Sequence, residues 1–250
     1  VLDATISRYA HVPMILGADS KRLSKRHGAV GVMQYRDEGF LPEALLNYLI
    51  RLGWSHGDQE VFSLDEMIQF FDLKDVNKAP SAFNPDKLLW LNQHYLKTGD
   101  PAHVARHLSW HMGQLGIDPC QGPALTEIVK AFRERAKTLR EIAEASVFFY
   151  QEFEAYDEKA ASKHLPAASK PVLEGLHAAF ASLSEWRSTI LHDTVQQIAE
   201  HLAVGLGKVA QPLRVAITGK AVSPPIDITL ELLGRDKTLQ RLQRALDYIS

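Results

Sequence analysis

The sequence predicts a mainly α-helical protein with a small mixed α/β segment at its start. From Leu41 onward, apolar residues recur every three or four positions, which is the period of a helix with one buried face. Residues suited to helix ends flank these stretches, as in the capping-box pattern Ser63–Glu66. Before Leu41 the apolar runs, which include residues 29–37, are shorter and are interrupted by Gly and Pro, which favours short strands and turns.

In the first half of the chain, residues suited to helix ends indicate where each helix begins and ends. Each has a polar residue or a proline suited to its first turn and a glycine suited to its end. These pairs are Pro42 and Gly53, Asn84 and Gly99, and Pro101 and Gly116. The helix after Asn84 contains Trp90 between leucines, so we expect the indole to be buried.

In the second half, helical periodicity is nearly continuous. Residues 124–158 predict long helical material with a basic middle, FRERAKTLR, and an acidic end. The stretch LPAASKP (165–171) is the best candidate for a linker. Further helices are predicted near 171–185, 189–205, 207–218 and 236–249.

Composition limits the classes of function. The net charge of the 250 residues is −2, so any contact with nucleic acid must come from local basic patches. Cys120 is the single cysteine, which excludes an internal disulfide and fits a reducing, cytoplasmic location. No apolar run has the length of a membrane span, and the first residues do not have the pattern of a signal peptide.

A basic, glycine-flanked loop is the strongest local signal of function. Residues 17–32, GADSKRLSKRHGAVGV, place Lys21, Arg22, Lys25 and Arg26 around a serine, and no acid follows until residue 37. Lysine ammonium groups, a hydroxyl and exposed backbone N–H groups all suit phosphate. The pattern is not a Walker loop. On spacing alone, a solvated turn or a general nucleic-acid patch is the more common explanation.

The sequence of this loop and of later segments resembles a known family. RLSKRHGA (22–29) resembles the KMSKS signature of class I aminoacyl-tRNA synthetases in its glutamyl form, with Arg22 where that family often has lysine. Three further blocks, at 34–63, 81–92 and 206–234, are similar to bacterial glutamyl-tRNA synthetases in the same order. The HIGH-type motif of the nucleotide-binding half is absent from the sequence, so we expect this chain to be the C-terminal half of such an enzyme.

The resemblance implies a reaction and a set of residues. Glutamate and ATP, with Mg²⁺ implied by the family, form glutamyl-adenylate, and the acyl group then passes to the glutamate tRNA. By motif position, Lys25 contacts ATP phosphate and is catalytic together with Ser24. Arg22 and Arg26 support ATP binding, and Leu23 completes the motif. The half alone is expected to be an inactive monomer that binds the tRNA.

The resemblance also implies the domain organisation. Residues 1–80 would be the end of the catalytic domain with the signature loop and a mixed α/β region that contacts the tRNA stem. Residues 81–168 and 169–250 would be two helical-bundle anticodon-binding subdomains.

The basic stretch FRERAKTLR is the best candidate for a tRNA contact in the second half. An unpaired anticodon base can be read at its edge by arginine, and lysine suits the phosphate backbone. We therefore predict that Arg133, Arg135, Lys137 and Arg140 bind tRNA. The alternative is a solvated helix face held by i,i+4 pairs such as Lys137–Glu141.

Two other interpretations stay open at this point. His103, His107 and His111 share one side of a helix, but the sequence near them supplies no carboxylate or thiol, and no metal site, including zinc, is predicted. The alternative function is a helical protein–protein interaction module in which the basic loop is an ordinary turn. A discrete nucleotide-binding protein is disfavoured because a partner fold is missing from the sequence.

Overall fold

The computed structural model describes residues 9–24 and 31–249. The chain divides into two units, each with its own core. The first unit consists of the described residues up to His107 together with Arg135–Glu141, and the second of Leu108–Glu134 together with residues 142–249. The predicted functional boundaries at 80 and 168 concern roles in tRNA binding and stay a prediction.

Short strands and five helices are found in the described part of the first unit before residue 108. These elements are β1 (Ile15–Leu16), α1 (Val32–Asp37), α2 (Pro42–Arg51), α3 (Leu64–Phe70), β2 (Ser81–Ala82), α4 (Pro85–Thr98) and α5 (Pro101–Gln114), whose last turns belong to the second unit. The remaining helices are α6 (Leu125–Phe132), α7 (Leu139–Tyr150), α8 (Glu158–His164), α9 (Lys170–Ser182), α10 (Ser188–His201), α11 (Leu206–Thr218), α12 (Ile226–Leu233) and α13 (Arg235–Ile249).

The mainly helical prediction is confirmed, and the predicted helix ends are observed where side chains form caps. Ser63 and Glu66 make the reciprocal capping box of α3, and the Asn84 side chain accepts the Lys87 backbone N–H at the start of α4. One secondary-structure expectation was wrong, and one helix was missed. The described part of the 29–37 run forms helix α1 rather than a strand, and α12, which follows two prolines, was not expected at all.

The core of the first unit is built where α2 crosses α4. Leu45, Tyr48 and Leu52 of α2 pack against Leu88 and Leu91 of α4, and all five side chains are buried. Burial of leucine side chains contributes roughly 1.5–3 kcal/mol each, so this crossing contributes substantially to the stability of the unit.

Aromatic residues of the first unit divide between core and surface. Trp54 is buried beside Phe62 and Met67. Trp90 is 45% exposed, contrary to expectation, because it lies on the outer face of α4, where the Lys87 ammonium sits 4.0 Å from the ring centroid. Trp90 is therefore a surface residue beside Lys87 and not the core residue that was expected.

Arg241 of α13 organises the second unit. Its side chain is 1% exposed, and its guanidinium donates to the carbonyl oxygens of Ile217 at 2.6 Å and Phe148 at 2.9 Å. These carbonyls lie in the last turns of α11 and α7, where helices leave acceptors unsatisfied. The same guanidinium holds both carboxylate oxygens of Glu152, at 3.1 and 2.9 Å. One buried cation thus satisfies the ends of two helices.

Among the residues that the structure describes, no helix combines the length and the apolar character needed to cross a bilayer.

Replacement of the buried arginine tests its role in the second unit. We expect Arg241→Met to lower the free energy of unfolding by about 2–4 kcal/mol, because two helix-end carbonyls lose their donor. Urea denaturation followed by circular dichroism measures the loss. The matched control is Arg187→Met, which removes an exposed ion pair with Glu185 and should cost less than about 1 kcal/mol. Equal losses in the two variants would contradict the assignment.

Candidate nucleotide and RNA contact residues

Residues 15–23, at the start of the basic loop that was compared with the KMSKS signature, form a tight hairpin. The Leu23 backbone N–H donates to the Ile15 carbonyl at 2.8 Å, and the Gly17 N–H donates to the Lys21 carbonyl at 2.8 Å. Ser20 takes a left-handed conformation with φ of 60° at the tip. Lys21 and Arg22 are exposed at this turn, so their charges face solvent.

Strand β1 anchors the hairpin to the core of its unit. β1 pairs in parallel with β2, with the Phe83 N–H donating to the Leu16 carbonyl at 2.8 Å. Asn84, the N-cap of α4, follows directly. The strand that leads into the loop is therefore held against the segment that precedes α4.

Of the five motif residues 22–26, the structure describes the first three. Arg22 is exposed, and Leu23 and Ser24 are half-buried. Lys25 and Arg26 lie outside the described residues, so their roles stay predictions.

The basic segment lies at a break between two helices, within the helical material that was expected over 124–158. Helix α6 ends at Phe132, and α7 begins at Leu139. Thr138 starts the new helix, because its Oγ1 accepts the backbone N–H of Glu141 at 3.1 Å. The Glu141 carboxylate accepts the backbone N–H of Lys137 at 2.6 Å. The expected contact between positions 137 and 141 is therefore a backbone cap, and the Lys137 ammonium makes no part of it.

Asn92 of α4 ties this turn to the first unit. Its side chain is fully buried, and its amide NH₂ donates to the Lys137 carbonyl at 2.6 Å and the Gly39 carbonyl at 3.3 Å. Its Oδ1 accepts the backbone N–H of Leu41 at 2.8 Å. A single side chain thus satisfies backbone groups from two segments that are far apart in sequence.

Gly39 permits the close approach that this arrangement needs. Its carbonyl accepts the Leu139 backbone N–H at 2.9 Å, and its φ is +93°. A Cβ at this position would lie 2.5 Å from the Arg140 backbone nitrogen, which is closer than any side chain tolerates. The position therefore requires glycine for both backbone conformation and space.

The predicted tRNA-binding residues fall in both units. Arg135, Lys137 and Arg140 are exposed on the segment of the first unit that Asn92 holds. Arg133 is half-buried at the C-cap of α6 and belongs to the second unit. The structure therefore brings three of the four onto one segment, with Arg135 and Lys137 in the turn and Arg140 in the first turn of α7.

A group of possible metal ligands appears where sequence reasoning predicted none. Glu43, in the first turn of α2, approaches His103 and His107 of α5, and their ligand atoms lie within 4.8 Å of one another. Burial lowers the pKa of the His107 imidazole. His111 does not join them, because it is buried in the second unit.

Sequence reasoning missed Asn92, Gly39 and Glu43, since each acts on a distant part of the chain. A signal for the break at 133–138 was present, because Thr138 and Glu141 match the capping-box spacing.

Comparison with protein families assigns both parts of the chain. Residues 103–246 match the anticodon binding domain, which is more than half of the chain. Residues 1–90 match the catalytic domain of the class I tRNA synthetases for E and Q. The chain belongs to the glutamyl-tRNA synthetase family. This confirms the resemblance to that family, while the assignment of residues 22–26 to the KMSKS signature stays a prediction.

Individual relatives agree with the family. The chain is 60% identical over 241 residues to glutamate–tRNA ligase 1 of Nitrosococcus oceani, covering 96% of this chain and 51% of that protein. The crystal structure of a glutamate tRNA ligase from Elizabethkingia meningosepticum, in complex with its amino acid, matches with a TM-score of 0.82 at 29% identity, covering 96% of this chain and 51% of that one.

The glutamate–tRNA synthetase of Elizabethkingia anophelis matches with a TM-score of 0.78 at 29% identity, over 97% of this chain and 52% of that one. The chain thus spans about half the length of these relatives.

The Asn92 amide can be tested by a change of similar size. We expect Asn92→Leu to release the 135–141 segment, since the Leu41 N–H and the Lys137 carbonyl lose their partner at a cost of about 2–4 kcal/mol in total. Hydrogen exchange should accelerate at the Leu41 and Leu139 amides. The exposed Asn77 supplies the control Asn77→Leu, which should leave both amides protected. Unchanged exchange in Asn92→Leu would refute the clamp.

Proposed function

We propose that this chain is the tRNA-recognition part of a glutamate–tRNA ligase. The observation that carries the proposal is the match of the chain, over both its segments, to the catalytic and anticodon-binding families. The 60% identity to a protein named as glutamate–tRNA ligase supports glutamate and its tRNA as the substrates. ATP is the third substrate, which the signature loop would contact.

The chemistry at the signature loop follows from charge. The glutamate carboxylate attacks the α-phosphorus of ATP, and the bond to the leaving pyrophosphate breaks, so negative charge builds on the phosphate oxygens. Cations that interact with these oxygens more strongly in the transition state than in the ground state accelerate the step. Lys25 is the proposed contact to phosphate, with Ser24, Arg22 and Arg26 in support. No general base is required, because the attacking carboxylate is already ionised.

Magnesium would be held chiefly by the phosphates of ATP, as is usual for this ion. Asp19 is the carboxylate next to the described arm of the loop, and its Oδ1 accepts the Lys21 backbone N–H at 3.1 Å. That carboxylate serves the turn, so no step is assigned to a metal held by these residues.

The basic turn of the first unit is the proposed tRNA contact. Arg135, Lys137 and Arg140 lie on a backbone held by the Asn92 amide and by the Leu139–Gly39 hydrogen bond. A fixed backbone loses less conformational entropy on binding. More of the electrostatic attraction of these side chains therefore appears as affinity. Side chains from such a turn can meet phosphates, and arginine can also read a base edge.

Salt-dependent binding tests the tRNA proposal. The chain should bind an unmodified glutamate tRNA transcript with affinity that falls steeply as salt rises. The triple variant Arg135→Ser, Lys137→Ser, Arg140→Ser should bind more weakly, and its log–log salt slope should be smaller by about 2 because phosphate contacts are lost. Filter binding at a series of salt concentrations measures both.

The control removes the same charge elsewhere. Serine at the exposed positions Lys74, Lys78 and Lys130 should leave the slope within about 0.5 of the wild type, because these residues make no proposed contact. A chain without affinity for tRNA would favour the alternative, a helical protein–protein interaction module. Equal effects of the two triple variants would show attraction by net charge only.

Lys25 is tested in an enzyme that also contains a nucleotide-binding half. Lys25→Ala should reduce the rate of ATP–pyrophosphate exchange by about 100-fold or more, because a cation that stabilises the leaving pyrophosphate is lost. Affinity for tRNA should stay within about twofold of the wild type, since the contact is to ATP. Exchange at the wild-type rate would remove Lys25 from the reaction.

A further inference from the structure

Two helices of the first unit bring three metal-binding side chains together. His103 and His107 are one turn apart on α5, and their ring centroids lie 4.9 Å from each other. Glu43, in the first turn of α2, approaches from the other side, with its Oε1 3.0 Å from the His103 Nε2. All three residues are half-buried, so their ligand atoms are shielded but reachable from solvent.

The spacing is close to that of a zinc site. Two ligand atoms on one tetrahedral zinc, each bonded at about 2.1 Å, lie about 3.4 Å apart. The Glu43–His103 distance is 3.0 Å, and all three ligand atoms lie within 4.8 Å of one another. Two imidazoles and one carboxylate form a donor set that binds zinc with a fourth position open to water. Metal binding requires the wider of these separations to close to about 3.4 Å.

We propose that Glu43, His103 and His107 bind a zinc-type divalent metal ion that joins α2 to α5. The ion links residues 60 positions apart in the sequence, so binding stabilises the folded first unit over the unfolded chain. The site shares no residue with the signature loop or the basic turn, and no part of it depends on the tRNA proposal.

Arg106 acts as a competitor for this site. Its guanidinium donates to the His103 Nδ1 at 3.0 Å, so in the metal-free protein the Nε2 carries the hydrogen that Glu43 accepts. When a metal binds Nε2, the imidazole hydrogen moves to Nδ1. There it faces the Arg106 guanidinium, and two hydrogen-bond donors oppose each other. The Arg106 side chain is exposed and must turn away for the metal to bind. Removal of Arg106 should therefore strengthen binding.

Titration with zinc tests the site directly. The whole 250-residue chain, prepared without a histidine tag, should bind one zinc ion tightly by isothermal titration calorimetry. Loss of a neighbour of a metal ligand costs 10- to 100-fold in affinity, so loss of a ligand in Glu43→Gln or His107→Gln should cost about 100-fold or more. At about a hundredfold excess over the dissociation constant, zinc should raise the Tm of the wild type by about 5 °C.

Control variants separate this site from general binding to surface histidines. His192→Gln, which removes an exposed histidine of the second unit, should leave the affinity unchanged. Arg106→Gln should tighten binding by about threefold, since a nearby positive charge is removed. Cobalt should give the visible absorption of a nitrogen- and oxygen-ligated ion in the wild type, and lose it in His107→Gln.

Two results would overturn the proposal. If zinc binds the wild type and His107→Gln equally, the contact between Glu43 and His103 is a hydrogen bond without a metal function. If His192→Gln lowers the affinity as much as His107→Gln does, the binding is scattered over surface histidines. Because zinc raises the Tm only when it binds the folded wild type, this measurement stays informative even if a ligand variant folds poorly.

Discussion

The buried amide of Asn92 is the constraint on which the proposed tRNA-contact surface of the first unit depends. Its NH₂ and its Oδ1 both have backbone partners, on Lys137 and Gly39 on one side and on Leu41 on the other. A buried amide is stable only when its donors and acceptor are satisfied, and it is costly otherwise. The geometry of the 39–41 turn and that of the basic turn are therefore linked, because both are required to satisfy the same side chain.

This link connects the apolar core to the charged surface. Asn92 follows Leu91, which packs against α2, so the helix that forms the core also carries the amide. Gly39 lets the two backbones approach, and Thr138 starts a new helix directly after the turn. Arg135, Lys137 and Arg140 consequently project from a segment with little conformational freedom. Such preorganisation converts ordinary surface charges into a surface suited to a phosphate backbone.

Local sequence signals predicted much of the fold. The features that they missed depend on contacts between distant parts of the chain. The caps at Ser63 and Asn84 were predictable, because the residues that satisfy a helix end lie within one turn of it. Trp90 was placed in the core wrongly, since apolar neighbours do not reveal which face of a helix is covered. The ligand group with Glu43 and the clamp at Asn92 join segments tens of residues apart, which no pattern within one segment encodes. Residues 22–29 could be compared with a family motif because such a motif consists of consecutive residues, and the ATP contact that it implies stays a prediction.

The affinity of Asn92→Leu for a glutamate tRNA transcript tests the central claim most directly, because this variant keeps every charge of the basic turn. If the amide preorganises the turn, the dissociation constant should rise by about tenfold, the equivalent of about 1.4 kcal/mol of ordering cost transferred to the binding step. Far-ultraviolet circular dichroism should meanwhile show wild-type helix content. A folded Asn92→Leu protein that binds the tRNA as tightly as the wild type would contradict the account, since the charges alone would then be sufficient.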